Sequence, residues 1–266
     1  MKKILTALLL AAILTGLCAC AGMPVEPTTE STAAAPSGTT ETETTATAST
    51  EPETTTAETT EEPKAVLSQT YSAARLYHDE FGTLWVQVIA EVQNSGRTPV
   101  ALGDGTVRLY GNGEQELTVL DHVAPYPQTL KPGERAVYYE EKAIDTQYEG
   151  DLTLRLDCSS EPVDEAARYT VSDTELRRSA SGSGIRSLTG TVQNGTSRPG
   201  ELVCVAAVLY DAEKKPLGVL YYYLLEKLQP GASQSFTLEP YRLPDTVRYS
   251  DVESFAVYAY PAYPVD

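Results

Sequence analysis

Four short signatures occur twice in this chain, in the same order, at a spacing of about 100 residues. Val92-Gln93-Asn94 returns as Val192-Gln193-Asn194, and Pro99 as Pro199. Leu109-Tyr110-Gly111 returns as Leu209-Tyr210-Asp211, and Leu130-Lys131-Pro132-Gly133 returns, slightly early, as Leu228-Gln229-Pro230-Gly231. Such a period is too long for a solenoid unit and suits one immunoglobulin-like sandwich of roughly 100 residues. Between the signatures lie short alternating runs punctuated by Gly, Pro, Asn and Asp, without a sustained helical period. That texture predicts an all-β fold. Leu84, Val86, Val88, Ala90 and Val92 alternate with Trp85, Gln87, Glu91 and Gln93, which predicts a strand with one core face. Leu188, Gly190 and Val192 repeat that face in the second copy.

Turn chemistry separates the strands. Asn94-Ser95-Gly96 and Asn194-Gly195 tolerate positive φ. Gly111-Asn112-Gly113 and Asp211-Ala212-Glu213-Lys214 are expected to close hairpins. Each Pro-Gly pair precedes a further strand, at 136–140 and 235–239, and closing strands follow at 152–156 and 254–260. Two tandem immunoglobulin-like β-sandwich domains are therefore expected, at 65–163 and 164–266. A Val-x-Asn turn after a strand, a strand ending Leu-Tyr-Asp, and Leu-x-Pro-Gly before another strand together resemble the FxLYD domain of bacterial surface proteins and lipoproteins. The resemblance covers residues 66–266, twice over. It departs at the Phe position, which is Val107 and Ala207, and Gly111 replaces the Asp of the first copy. The family is an immunoglobulin-like extracytoplasmic module without a general activity, so the resemblance implies a fold and a location and no reaction.

The N-terminus reads as an address. Lys2 and Lys3 precede an apolar run from Ile4 to Leu17. A bilayer-spanning helix needs roughly 20 residues, so this run is short for a span and suits a signal peptide at 1–19. Leu17-Cys18-Ala19 before Cys20 resembles the bacterial lipobox. The resemblance implies cleavage before Cys20 and a diacylglycerol thioether on its sulfur, an anchor with two acyl chains. The alternative is an ordinary secreted protein in which Cys20 is incidental. Residues 20–64 then form a linker, because Pro24 to Lys64 contains no aromatic residue and too little apolar area to offset the entropy of ordering. Length and composition resemble lipoproteins of Gram-positive bacteria, placing the chain outside the cytoplasm on the cell membrane.

Charge and motifs narrow the function classes. A formal net charge of −17 repels nucleic acid and anionic headgroups, so no nucleic-acid partner is expected. Cys158 and Cys204 fall in different copies, on a core face and on an opposite face respectively, and are expected to be free thiols. His78 and His122 lack metal-ligand spacing, and Gly182-Ser183-Gly184 reads as the loop matching 78–82 rather than a nucleophile elbow. Leu243-Pro244-Asp245-Thr246 starts like a sortase signal, but Val247 stands where Gly is needed. Glu140 and Glu141 are adjacent in a strand and are expected to face opposite sides. No cofactor, metal or enzymatic activity is expected. Tyrosine is the unusual enrichment, with 17 Tyr against 3 Phe and 1 Trp. Tyr221, Tyr222 and Tyr223 are the candidate binding surface, for a surface protein or wall glycan, against the plainer reading of strand packing. Trp85 faces away from the core beside Ile89, a position suited to packing between the domains. The expectation is a membrane-anchored, non-catalytic binding or assembly module. The alternatives are a surface spacer without a ligand site and an enzyme with an unrecognised carboxylate site.

Overall fold

The computed structural model describes residues 66–262 apart from 113, 114, 147 and 149. Cys20, the leader, the linker and Tyr263 lie outside the described residues. The first half contains β1 (Leu67–His78), β2 (Leu84–Asn94), β3 (Val100–Leu102), β4 (Gly105–Gly111) and β5 (Gln115–Tyr126). It continues with β6 (Thr129–Leu130), β7 (Arg135–Ala143), β8 (Leu152–Asp157) and β9 (Ser160–Pro162). One six-stranded sheet runs β1-β2-β7-β5-β4-β8, and a small one runs β6-β3-β9. The long sheet folds over because β5 changes neighbours. Its residues 115–123 pair with β4, and Ala124, Pro125 and Tyr126 pair with Tyr139, Tyr138 and Val137 of β7. Val86, Val88, Ala90 and Val92 of β2 point into the core so enclosed, with Val107 and Leu109 of β4 opposite.

The second half contains β10 (Thr170–Arg178), β11 (Ile185–Gln193), β12 (Val203–Tyr210), β13 (Pro216–Leu224), β14 (Ser233–Leu238) and β15 (Ser254–Pro261). Two three-stranded sheets, β10-β11-β14 and β13-β12-β15, enclose its core. Leu188 and Val192 face Val205, Ala207 and Leu209 across it. All named pairings are antiparallel, so the chain is an all-β, sandwich-type fold. At Gly190 a Cβ would lie 2.6 Å from the ring of Phe236, so the aromatic takes the space that alternation assigns to an inward side chain.

Two of the four repeated signatures have one structural cause. Asn94 and Asn194 are both fully buried. Asn94 Nδ2 donates to the carbonyls of Thr98, at 2.8 Å, and Leu130, at 3.3 Å. Asn194 Nδ2 donates to those of Arg198, at 2.8 Å, and Leu228, at 2.9 Å. The backbone of each Asn also accepts from the glycine of its Pro-Gly pair, Gly133 or Gly231, and both glycines have positive φ. The Val-Gln-Asn turn and the Leu-x-Pro-Gly turn are thus two parts of one fastening, formed once in each half. The departure at Gly111 has a local reason. A Cβ there would lie 2.8 Å from the ring of Tyr148, whose hydroxyl accepts from the Asn112 amide. In the second half Asp211 instead accepts from the amides of Glu213 and Lys215 and holds its own hairpin.

A third cluster joins the halves. Ile89, Tyr126, Val137 and Tyr139 of the first meet Cys204, Ala206, Val208 and Tyr260 of the second. Simple alternation leaves the outer face of β2 in solvent, yet Gln87, Ile89 and Glu91 are all buried there. Glu91 Oε2 accepts from the Thr70 hydroxyl at 2.7 Å and pairs with Arg135 at 3.0 Å. Arg168, in the connection between the halves, bonds Thr129 through its carbonyl and hydroxyl and lies over the rings of Tyr258 and Tyr260. Unlike faces meet in this contact. At the register where Ile89 pairs with Tyr139 in the first half, Thr189 pairs with Thr237 in the second. The face of β12 that carries Ala206 and Val208 corresponds in β4 to Thr106 and Arg108.

Candidate functional site

A cleft of about 580 Å³ opens where the halves meet. One wall is the far end of β1 with Trp85 and the last residues of β7; the other is the segment from Tyr241 to Thr246, between β14 and β15. That connection is the longest between strands among the described residues, and long connections often carry binding groups. β7 reaches the cleft because β5 leaves it after Tyr139, so Glu140 onward is an open edge. Alternation gives Glu140 and Glu141 different partners, Arg242 for the first and the Tyr77 and Tyr139 hydroxyls for the second, and at this free edge both line the same cleft.

Bonding fixes the walls. Asp79 Oδ1 accepts from the amides of Phe81, at 3.0 Å, and Thr83, at 2.8 Å. Its Oδ2 accepts from the Trp85 indole at 3.0 Å. Desolvation opposes ionisation of Asp79, but these donors outweigh it and hold the carboxyl below the usual range. Glu141 accepts from the hydroxyls of Tyr77, at 3.1 Å, and Tyr139, at 2.9 Å. Burial dominates there and pushes the Glu141 carboxyl up, against the pull of those hydroxyls and of Arg242. Tyr139 also bonds the Arg242 carbonyl and accepts from Gln87 Nε2, which donates in addition to the Leu217 carbonyl at 3.2 Å. The Tyr139 hydroxyl has one proton and two acceptors. Arg242 closes the edge by donating to Glu140 at 3.0 Å. Among the described residues the two most exposed aromatics, Phe81 and Tyr241 at 84% and 86%, belong to the loop holding Asp79 and to the opposite wall.

The tyrosine run is placed differently. Tyr221 and Tyr223 pair across from Ala206 and Cys204, and Tyr222 from the core residue Val205. Tyr221 stacks on Tyr126 with ring centroids 5.0 Å apart and meets Tyr223 edge-on at 6.0 Å. Tyr221 is therefore engaged in the contact between the halves, whereas Tyr222 is 42% exposed on the opposite face. The three rings do not form one platform. Cys158 and Cys204 are free, one against the first core and one in the contact between halves. Trp85 lines the cleft at the margin of that contact, with Ile89 inside it. Among the described residues no three His, Cys, Asp or Glu side chains gather as a metal site. Neither a protein-family model nor a curated protein matches the chain.

The residues that sequence reasoning missed are Tyr77, Asp79, Tyr241 and Arg242. The available signal was the stretch around Leu243-Pro244-Asp245-Thr246, which is rich in Tyr, Arg, Pro and Asp and has no counterpart of equal length in the first copy. The assembled cleft offers aromatic faces and fixed carboxylates. Asp79, Glu140 and Glu141 are each already bonded, an arrangement suited to recognition.

Proposed function

We propose that this chain is an extracytoplasmic lipoprotein, anchored through Cys20 to the cell membrane of a Gram-positive bacterium. In this reading two FxLYD-type, immunoglobulin-like units stand on the linker of residues 20–64. They act as a non-catalytic binding or assembly module for a surface protein or wall polymer. The cleft between the halves is the surface that engages the partner. One observation carries the reading: aromatic and charged groups from distant parts of the chain converge on one concavity, with walls already held by hydrogen bonds. A site fixed in this way binds without first ordering its own side chains.

The test is photo-crosslinking on intact cells, with the reactive group at Tyr241 or at the exposed Glu175 on β10. The expected result is a partner captured from Tyr241 and not from Glu175. Equal capture, or none, from both positions would leave a structural spacer as the better description. The anchor has its own test. Labelled fatty acid should enter the parent chain and not the Cys20→Ala variant; label in that variant would refute the anchor.

A further inference from the structure

We infer that the cleft receives a cationic side chain, a lysine or arginine presented by a segment of the partner protein. This rests on the binding role proposed above and names the chemistry of its ligand. The cleft walls bring together Asp79, Glu140, Glu141 and Asp245 against only two permanent cations, Lys142 and Arg242. Arg242 is committed to Glu140. Asp245 takes no part in the hydrogen bonds that fix the walls, so a cation entering the cleft meets a carboxylate without displacing a partner.

The aromatic groups point to the same chemistry. Trp85 is tied at its indole edge to Asp79, and its ring lines the cleft. Tyr77 and Tyr241 add two further rings around the same space. An ammonium or guanidinium held over such faces is attracted by the ring quadrupole, and the carboxylates that line the same cleft add to that attraction. An anionic ligand would meet carboxylates, and a neutral saccharide would use the ring faces while leaving the excess negative charge uncompensated. Residues 24–64 of the chain itself are rich in Glu and, apart from Lys64, have the wrong sign to fill the cleft.

Trp85 is the only tryptophan of the chain, so its emission reads the cleft even where other acidic residues also attract cations. The full-length chain in detergent is titrated with trilysine amide and triarginine amide, and in parallel with triglutamate and an N-acetylglucosamine trimer. The expected result is a saturable change in Trp85 emission with the basic peptides alone, weakened by added salt. Asp245→Asn and Tyr241→Ala should each weaken that binding by about fivefold, since each removes one contact to the cation. Tyr241 is 86% exposed, so its loss leaves the fold intact, which circular dichroism verifies for both variants. No saturable change with either basic peptide overturns the inference, as do unaltered affinities in both variants. A stronger response to the trisaccharide also overturns it, while retaining the cleft as a binding site. Partner capture from Tyr241 on cells stands or falls separately.

Discussion

Replacing Asn194 by alanine isolates the fastening that the chain contains twice. Asn194 is fully buried, and its carboxamide donates to the Arg198 and Leu228 carbonyls and accepts from the Thr196 amide at 2.9 Å and its hydroxyl at 2.7 Å. In Asn194→Ala, the Arg198 and Thr196 groups lie near the surface and regain water. The Leu228 carbonyl keeps its bond from Gly200 but loses its second donor in a buried position. One buried loss with partly exposed ones amounts to about 2–3 kcal/mol. Asn194→Asp has nearly the same shape but turns an acceptor toward two carbonyls, so its cost rises to about 3–5 kcal/mol while the carboxyl is ionised. That excess should shrink in acid as the carboxyl protonates. Asn94→Ala should cost somewhat less than Asn194→Ala, because its bond to Leu130 is 3.3 Å rather than 2.9 Å and Gly96 supplies no hydroxyl. Urea unfolding followed by far-ultraviolet circular dichroism measures all three variants. If both alanine variants stay within about 0.5 kcal/mol of the parent, as surface substitutions do, the repeated signature is not a structural fastening.

Three further outcomes follow from groups between or near the halves. Arg168→Ala should destabilise by about 2–4 kcal/mol and open residues 163–169 to protease, because the 16% exposed guanidinium leaves Thr129 and two rings behind. Arg168→Lys should not restore the loss in thermal unfolding, since one ammonium cannot replace the planar fork. Burial raises the Glu141 carboxyl above the ordinary 4.5 in the folded chain. Its contribution to stability is therefore full below that value and is lost as pH rises through the raised one. Glu141→Gln should then be more stable than the parent at neutral pH and lose this advantage at about pH 4, as read by melting temperature; a constant offset would contradict the assignment. Burial pushes the Cys204 thiol up to about 12. Peptide mapping should find Cys204 unmodified by iodoacetamide in the native chain and modified in urea.

Fold class, most strand positions and the first-half core face were legible because the duplication aligns turn residues with turn residues. Val86, Val88, Ala90 and Val92 lie where alternation places them. The outer face of β2 was not legible as a whole. Gln87 and Glu91 read as solvent-facing, and their burial follows from a surface a hundred residues away in sequence. The tyrosine enrichment was legible in number and not in role. Tyr126, Tyr139 and Tyr260 fill the contact between halves, where each ring is buried and each hydroxyl finds polar company. The cleft was hidden for a related reason: Asp79, Trp85 and Glu141 share no motif with Arg242, which reaches them only when the two halves pack.

The contact between the halves joins one face of the first half to a different face of the second, so the two sides of the contact are chemically distinct. The equivalent positions of the two halves carry different side chains. Thr189, Ser235 and Thr237 stand where Ile89, Val137 and Tyr139 receive a neighbour, and Thr106 and Arg108 stand where Ala206 and Val208 would be offered to one. A second contact of the same kind would have to bury hydroxyls on one side and a guanidinium on the other, where the contact between the halves buries apolar side chains.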